Sequence, residues 1–472
     1  MQFSSTPRAA AVAAVADARR QVFWLDRPER PDPRPPLDAD IRTDLLVVGG
    51  GFTGLWAALL AKQADPARDV VLVEGGRIAA GASGRNGGFV SASLTHGFAN
   101  GMARWPEEMP ALLRLGHENL DAIEKSIADW GIDCDFIRSG EMDVAVEAHQ
   151  IEGLTDYATA ATAMGEQVSL LDAAQARSIL DSPTYLAAAV DRTGVALVDP
   201  ARLAWGLRDA CLAAGVRIHE GTPVLGLEGF PGGVRATCHA GRVDAVRAVL
   251  ATNAYPPLLK RLAHYVVPVY DYALMTQPLS DRQWAAIGWS GREGVSDSGN
   301  QFHYYRSTAD GRILWGGYDA VYHHGNGFGP QFDNDDHSYA TLAEHFLQTF
   351  PQLEGIGFSH AWGGAIDTCS RFTAFWGTAF DGALGYVTGY TGLGVGASRF
   401  GAATTLDLID GRDTERTRLE MVRRKPLPFP PEPLRSIGIG MTTAALQRAD
   451  QNEGRRGLWL RALDRLGMGF DT

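Results

Sequence analysis

Cysteine is scarce in this sequence, long apolar runs are missing, and no basic stripe interrupts its acidic balance. The four cysteines, Cys134, Cys211, Cys238 and Cys369, lie far apart and form no C-x-x-C pair. Such spacing offers no zinc-finger ligand set, and it fits reduced, buried thiols in a cytoplasmic protein. No run of ~18 apolar residues occurs, so no helix is expected to span a membrane. The Ala-Val stretch at 9–16 is short and Asp17 follows it at once, which makes a poor signal peptide. A net charge of −12 argues against a nucleic-acid partner, because phosphate binding needs clustered Lys and Arg. Internal repeats are absent, and no low-complexity tract stands outside two proline-rich arms.

What remains is an ordinary globular composition, 45% hydrophobic and 21% charged, on a chain of 472 residues. That length predicts two domains, or a cofactor fold with a large insertion. Residues 1–40 read as an extended arm. Pro28, Pro31, Pro33, Pro35 and Pro36 forbid helix there, and Phe23, Trp24 and Leu25 pin the arm to the body. The apolar run at 44–48 predicts a buried parallel strand. A glycine turn, a helix at 55–64 and a strand at 70–73 complete one βαβ unit.

Further pieces of the same sheet follow: a helix at 199–214 begun by Asp-Pro, strands at 216–219, 223–228 and 248–252, and a strand at 384–388 feeding a helix near 397–408. Two insertions interrupt them, one with helices at 107–129 and 173–180, the other with strands near 265–275, 302–306 and 313–318. The expected organisation is a discontinuous cofactor domain (41–95, 196–258 and 366–411) and a substrate domain (96–195 and 259–365). A C-terminal proline-rich arm and helix follow (412–472), in which residues 425–431 should wrap an external surface before a terminal amphipathic helix.

The chemistry concentrates in glycine. Gly49, Gly50, Gly51, Phe52, Thr53 and Gly54 match G-x-G-x-x-G between a buried strand and a helix, with an acidic residue, Glu74, about twenty positions on. Gly49 permits the tight turn, Gly51 lets backbone N–H groups approach a pyrophosphate, and Gly54 lets helix and strand pack closely. Glu74 can accept hydrogen bonds from ribose hydroxyls and disfavours a 2′-phosphate, which argues against NADP. A second glycine loop holds Gly81, Ala82, Ser83, Gly84, Arg85, Asn86, Gly87 and Gly88, able to lay bare amides against a flat ring or a phosphate. A third, with Gly389, Tyr390, Thr391, Gly392, Leu393, Gly394, Val395 and Gly396, again leads from strand to helix. A second helix N-terminus of this kind would stabilise the negative charge of a reduced flavin, which nicotinamide does not require.

Together these segments resemble the FAD-dependent D-amino-acid-oxidase, glycine-oxidase and sarcosine-oxidase superfamily. The 82–88 loop is most similar to the gamma-glutamylputrescine oxidase branch, as are Trp24-Leu25-Asp26, Asp199-Pro200-Ala201-Arg202-Leu203, Tyr304-Tyr305-Arg306, residues 310–314 and a Trp362-Gly363-Gly364 turn. The resemblance implies an α/β fold: a Rossmann-like FAD-binding domain with an inserted mixed-sheet α+β substrate domain, as in glutathione-reductase-like two-domain flavoproteins. It implies non-covalent FAD, with further contacts from Gly75, Arg77, Val224, Thr252 and Gly364. It also implies hydride transfer from an amine or amino-acid C–N bond to flavin N5, an imine that water hydrolyses, and O2 as acceptor with H2O2 formed. Positioning dominates such chemistry, so no catalytic triad is expected.

Several departures widen the reading. Ile366-Asp367 stands where amino-acid members of the family carry an Arg-Pro pair, and no lysine stands in the strand at 313–317 or at Gly396. A dehydrogenase with another electron acceptor therefore stays open, and a tRNA-modifying flavoprotein is the more distant alternative. Tyr304 and Arg306 share a strand face and are expected to bind a substrate carboxylate, unless Arg306 pairs with Asp310 in the next turn. Asp367 either attracts a cationic amine tail or caps a turn. Trp362 and Tyr390 either wall the flavin pocket or pack in the core, and His96 is placed to face the ring. His323-His324 reads as a loop pair rather than a metal site, and Cys369 as a buried thiol rather than a flavin attachment point.

Overall fold

The computed structural model describes residues 3, 4 and 6–468. Leu45, Leu46, Val47 and Val48 are all buried, so strand Ile41–Val48 has no solvent face over that half and sits inside a parallel sheet. It pairs in parallel with Arg242–Leu250 on one side and Val70–Val73 on the other. Leu384–Thr388 and Arg217–His219 extend the sheet in the same sense, and antiparallel Phe375–Ala379 closes an edge. A hairpin turning at Gly232 forms between Val224–Phe230 and Gly233–Cys238 and pairs with Arg242–Leu250. Among the described residues this sheet has eight strands.

Helix Phe52–Ala64 lies on this sheet and packs against helices Pro200–Ala213 and Gly394–Ile409. Five consecutive residues, Leu55, Trp56, Ala57, Ala58 and Leu59, are fully buried, as a helix covered on every side requires. Glycine permits the close fit: a Cβ on Gly54 would lie 1.9 Å from the Gly49 carbonyl oxygen. Asp199 caps Pro200–Ala213 by accepting the Arg202 N–H at 3.0 Å, with proline at the first helical position.

The insertions build a second sheet, mixed in direction, with nine strands among the described residues. Its order runs from Val321–Tyr322 through Val267–Thr276, Ile313–Gly317, His303–Ser307, Gly294–Asp297, Glu141–Ala145 and Ala187–Asp191 to Val168–Asp172. The parallel pair, Gly294–Asp297 with Glu141–Ala145, joins strands from the two different insertions. The two-domain α/β architecture expected from the sequence is the one observed.

Three features differ from expectation. The arm is not extended throughout, because Ala9–Val15 forms a helix that buries Ala11 and Val15 against helix Asp336–Thr349. The prolines that exclude helix begin only at Pro28, and an alanine-rich run upstream of them has high helix propensity. Trp362-Gly363-Gly364 is not a turn. It lies within the strand Phe358–Thr368, which pairs antiparallel with Val267–Thr276 and runs past the boundary expected at 365. The glycines there make room rather than curvature: a Cβ on Gly363 would lie 2.6 Å from the Tyr272 ring. Finally, helix Leu434–Gln451, assigned from the sequence to a separate C-terminal arm, reaches the interior cleft described below.

Trp24 is the arm's principal anchor. It is fully buried, and its indole N–H donates to the Asn86 carbonyl at 2.9 Å. Trp24→Ala is expected to cost about 3–5 kcal/mol in equilibrium urea unfolding. A loss below about 1 kcal/mol would show that the arm lies outside the cooperative core.

Candidate cofactor cleft and active site

A cavity of about 1870 Å³ opens between the two sheets. Small-ligand pockets usually span roughly 300–1,000 Å³, so this one has room for an extended cofactor and a second molecule beside it.

Its floor begins at the first glycine turn. Gly49 has φ +113°, a conformation glycine tolerates, and a Cβ there would lie 2.5 Å from the Ala251 carbonyl oxygen. The two carboxylate oxygens of Glu74 accept the Gly50 and Gly76 amides, each at 2.7 Å. Burial raises the Glu74 carboxyl, while those amides pull it down. At the start of helix Phe52–Ala64 the Phe52 N–H donates to Ser83 Oγ at 2.9 Å, which ties the first glycine turn to the second loop.

The second loop is clamped from three sides. The Trp362 indole N–H donates to the Arg85 carbonyl at 2.8 Å, Trp24 holds Asn86, and Asn86 Oδ1 accepts the Gly88 amide at 2.8 Å. The Arg85 guanidinium pairs with Asp333 at 2.7 Å and donates to the Gly363 carbonyl at 2.9 Å. The third loop hangs on Asp367. Its Oδ2 accepts the Gly389 amide at 2.5 Å, the Tyr390 amide at 3.1 Å and the Thr388 hydroxyl at 3.2 Å. Burial raises the Asp367 carboxyl to about 6, against the pull of those donors. The Tyr390 and Thr53 hydroxyls meet at 2.9 Å, so the earliest and latest glycine segments touch.

Most of the expected site residues line this one cavity. From the first segment these are Gly49, Gly50, Gly51, Phe52, Thr53, Glu74 and Gly75; from the second, Gly81, Ala82, Ser83, Arg85, Asn86 and Gly87. Val224, Thr252, Tyr304, Trp362, Gly364, Asp367 and His96 join them, with Tyr390, Thr391, Gly392, Leu393, Gly394 and Val395 from the third. Gly54, Arg77, Gly88 and Gly389 do not line it. Gly54 serves helix packing, and the Arg77 guanidinium donates to the Pro31 carbonyl in the arm.

Arg306 does not reach the cavity either. It is fully buried, donates to the Val198 and Ser307 carbonyls, and lies 3.8 Å from Asp135. Its expected partner Asp310 pairs instead with Arg312 at 2.8 Å. Arg306 and Tyr304 do share a strand face, as alternation predicts, but the Gly88 and Val198 carbonyls cover the arginine. His323 stacks on Phe332 with ring centroids 3.9 Å apart, and His324 bonds Ser436 at 2.8 Å, both outside the cavity. Cys369 is buried beside the third loop, its thiol donating to the Thr373 carbonyl at 3.1 Å, and it does not line the cavity.

Other lining residues carried no signal readable in the sequence. Asp271 and Tyr318 come from the second sheet, and Ile439, Thr442 and Leu446 from helix Leu434–Gln451. The Tyr304 hydroxyl donates to Asp271 Oδ2 at 2.7 Å, and burial raises that carboxyl to about 6. Farther along the wall, Ser296 donates to Asp143 at 2.5 Å and to Glu141 at 3.3 Å. Burial raises both carboxyls, with Asp191 adding its repulsion.

The fit to a dinucleotide rests on the amides at two helix starts and on the glycine cradle, whose first turn Glu74 shapes. Removing a charge-assisted hydrogen-bond acceptor of this kind costs about 1.5–3 kcal/mol. Glu74→Ala is therefore expected to weaken cofactor binding by roughly 10- to 100-fold, read by fluorescence titration of the apoprotein. Unchanged affinity would remove Glu74 from the cofactor site.

Comparison with known proteins accords with this geometry. Residues 44–408 match the family model described as "DAO: FAD dependent oxidoreductase". The chain is 32% identical to gamma-glutamylputrescine oxidoreductase of Escherichia coli over 389 residues, covering 80% of this chain and 86% of that protein. It is 28% identical over 409 residues to a probable oxidoreductase of Haemophilus influenzae, covering 84% of this chain and 88% of the other. Among solved structures it resembles glycine oxidase from Geobacillus kaustophilus, with a TM-score of 0.67, 20% identity and coverage of 79% and 96%. L-proline dehydrogenase from P. horikoshii gives a TM-score of 0.64, 19% identity and coverage of 79% and 95%. These last two share the fold. With the three glycine segments meeting in one cleft and the match spanning most of its length, this chain belongs to the DAO family of FAD-dependent oxidoreductases.

Proposed function

We propose that this chain oxidises the C–N bond of a primary or secondary amine or amino acid. The observation that carries the reading is the convergence of the three glycine segments on a cavity that continues under the second sheet. FAD bound in the cleft would accept a hydride at N5 and pass the electron pair to an acceptor. As the hydride leaves carbon, the nitrogen lone pair forms the C=N bond. Water then converts the imine to a carbonyl compound and a free amine or ammonia.

The protein's share is placement. Residues 49–54 with Glu74 would hold the dinucleotide portion, and the start of helix Gly394–Ile409 offers positive potential where the ring gains charge. The face of the second sheet that carries Tyr304 and Trp362 would hold the substrate against the ring, where positioning lowers the barrier. No cysteine lines the cavity among the described residues, which supports FAD bound without a covalent link.

O2 is the proposed acceptor, with H2O2 as product. A second reading, transfer to another acceptor, draws support from the lysines. None of Lys62, Lys125, Lys260 and Lys425 lines the cavity. At Gly396 no side chain fits, because a Cβ would lie 2.2 Å from the Ser91 carbonyl oxygen.

Anaerobic addition of an amine panel to the holoenzyme is expected to bleach the flavin's visible band. The panel should include polyamines, their glutamyl conjugates and N-methyl amino acids. Silence across the whole panel would sink the amine chemistry. Readmitted air should restore the colour within a turnover. Slow recovery in air with fast recovery on a quinone would favour the second reading. Acid precipitation should release all the flavin, whereas colour retained in the pellet would mean a covalent bond.

A further inference from the structure

The proposed reaction leaves open which end of which molecule the cavity recognises. Three arginines line the cavity, Arg85, Arg435 and Arg456, and each is held by protein. Arg85 pairs with Asp333 at 2.7 Å, Arg435 donates to Asn326 at 2.7 Å, and Arg456 pairs with Asp464 at 2.7 Å. Arg306, the residue best suited by sequence to grip a carboxylate, is sealed in the core. Carboxylates are plentiful on the same walls, among them Glu141, Asp143, Asp191, Asp271, Asp319 and Asp450. Arg435 is bonded only to neutral groups, the Pro430 carbonyl, Asn326 and His264, so the walls carry many more carboxylates than cations without an acidic partner.

One of these carboxylates stands apart by position. Asp271 lies within the strand Val267–Thr276, which forms the cavity face of the second sheet. The residue opposite it on the neighbouring strand is Gly364, so no side chain from that strand stands beside the carboxylate. Tyr304 fixes its orientation through the 2.7 Å bond to Oδ2, and the Tyr272 amide donates to Oδ1 at 2.9 Å. The Gly317 amide also favours the ionised form. The hydrogen-bond partners are thus a phenol and amides, with no cation among the described residues. A carboxylate withdrawn from water without a positive partner is costly, and an incoming ammonium relieves that cost.

The pair also faces the cofactor side. The Tyr304 ring lies so close to the second glycine loop that a Cβ on Gly87 would come within 2.9 Å of it, and Phe89 meets the ring edge-on at 6.0 Å between centroids. Asp271 is therefore linked through Tyr304 to the loop assigned to the flavin.

We propose that Asp271, oriented by Tyr304, is the anchor for the non-reacting ammonium of the substrate, and that the site takes diamines in preference to α-amino acids. The inference rests on the amine-oxidation reading and narrows it to a substrate class. A second ammonium gains a charge-assisted bond to Asp271 while the reacting nitrogen stays neutral, whereas an α-amino acid brings a carboxylate to walls dominated by acids.

The test uses the FAD-loaded enzyme with three probes: 1,4-diaminobutane, glycine and tert-butylammonium. The last has no hydrogen on the carbon bearing nitrogen, so it binds without being oxidised. Tert-butylammonium should perturb the flavin absorbance on binding and should inhibit oxidation of diaminobutane competitively. Glycine should bleach the flavin at least tenfold less efficiently than diaminobutane. Asp271→Asn should weaken tert-butylammonium and diaminobutane binding on the order of 10- to 100-fold, with flavin content and Tm held. Should that variant fail to fold, Tyr304→Phe supplies the same comparison with a smaller loss, and Asp271→Glu should restore part of the affinity.

Tert-butylammonium binding equally to wild type and Asp271→Asn would overturn the anchor. Glycine outperforming diaminobutane would overturn the substrate class. Asp271-dependent binding of tert-butylammonium in an enzyme that no amine bleaches would uphold the anchor and defeat the proposed oxidation instead.

Discussion

The cleft depends on carboxylates that bind backbone amides rather than on side chains that reach into it. Glu74 spans the Gly50 and Gly76 amides, and Asp367 gathers the Gly389 and Tyr390 amides, so two acidic residues set the path of two glycine segments far apart in sequence. Glycine alone cannot define a path, because it tolerates many conformations and loses more entropy than any other residue when fixed. The acids select one conformation, and burial strengthens their hold by removing competing water. The remaining amides at the two helix starts are then free to face a ligand.

This division of labour explains what the sequence made legible. The first βαβ unit was readable because its requirements are local: a four-residue buried run, a glycine turn and an acid at fixed spacing lie within a single stretch. The late loop was readable for the same reason, as strand, glycine and helix in succession. The role of Asp367 was only half legible. Turn capping was one of its two readings, but the amides it holds lie some twenty residues further on, across two strands.

Residues whose roles are set by pairing across the second sheet gave no such signal. Asp271 meets the cavity because it lies opposite Gly364 and is held by the Tyr304 hydroxyl from two strands away, contacts that no local pattern encodes. Arg306 looked like a ligand residue because strand alternation gives its face, and that face was right. Whether the face meets a cavity or a plug of protein depends on Gly88 and Val198, which arrive from elsewhere in the chain. Glycines misled at Trp362-Gly363-Gly364 because the same residue that permits a turn also permits close packing, and here Tyr272 and Arg85 fill the space a side chain would take.

The electron acceptor is separated from the fold by a similar argument. Solved relatives of the same architecture include an oxidase and a dehydrogenase, so the shared scaffold does not dictate where electrons go next. Reaction of a reduced flavin with O2 is helped by a fixed positive charge near the ring, because negative charge develops on oxygen. In this chain Gly396 is pressed against the Ser91 carbonyl, and the cavity face of the second sheet presents Gly317 and Asp271 rather than a lysine. With FAD held as proposed, positive potential at the ring would come chiefly from the N-terminus of helix Gly394–Ile409. A dipole is weaker than a full charge, and the acidic walls oppose it. Under the oxidase reading, oxygen reactivity would depend on how well the cleft excludes water, since a drier site strengthens the helix dipole.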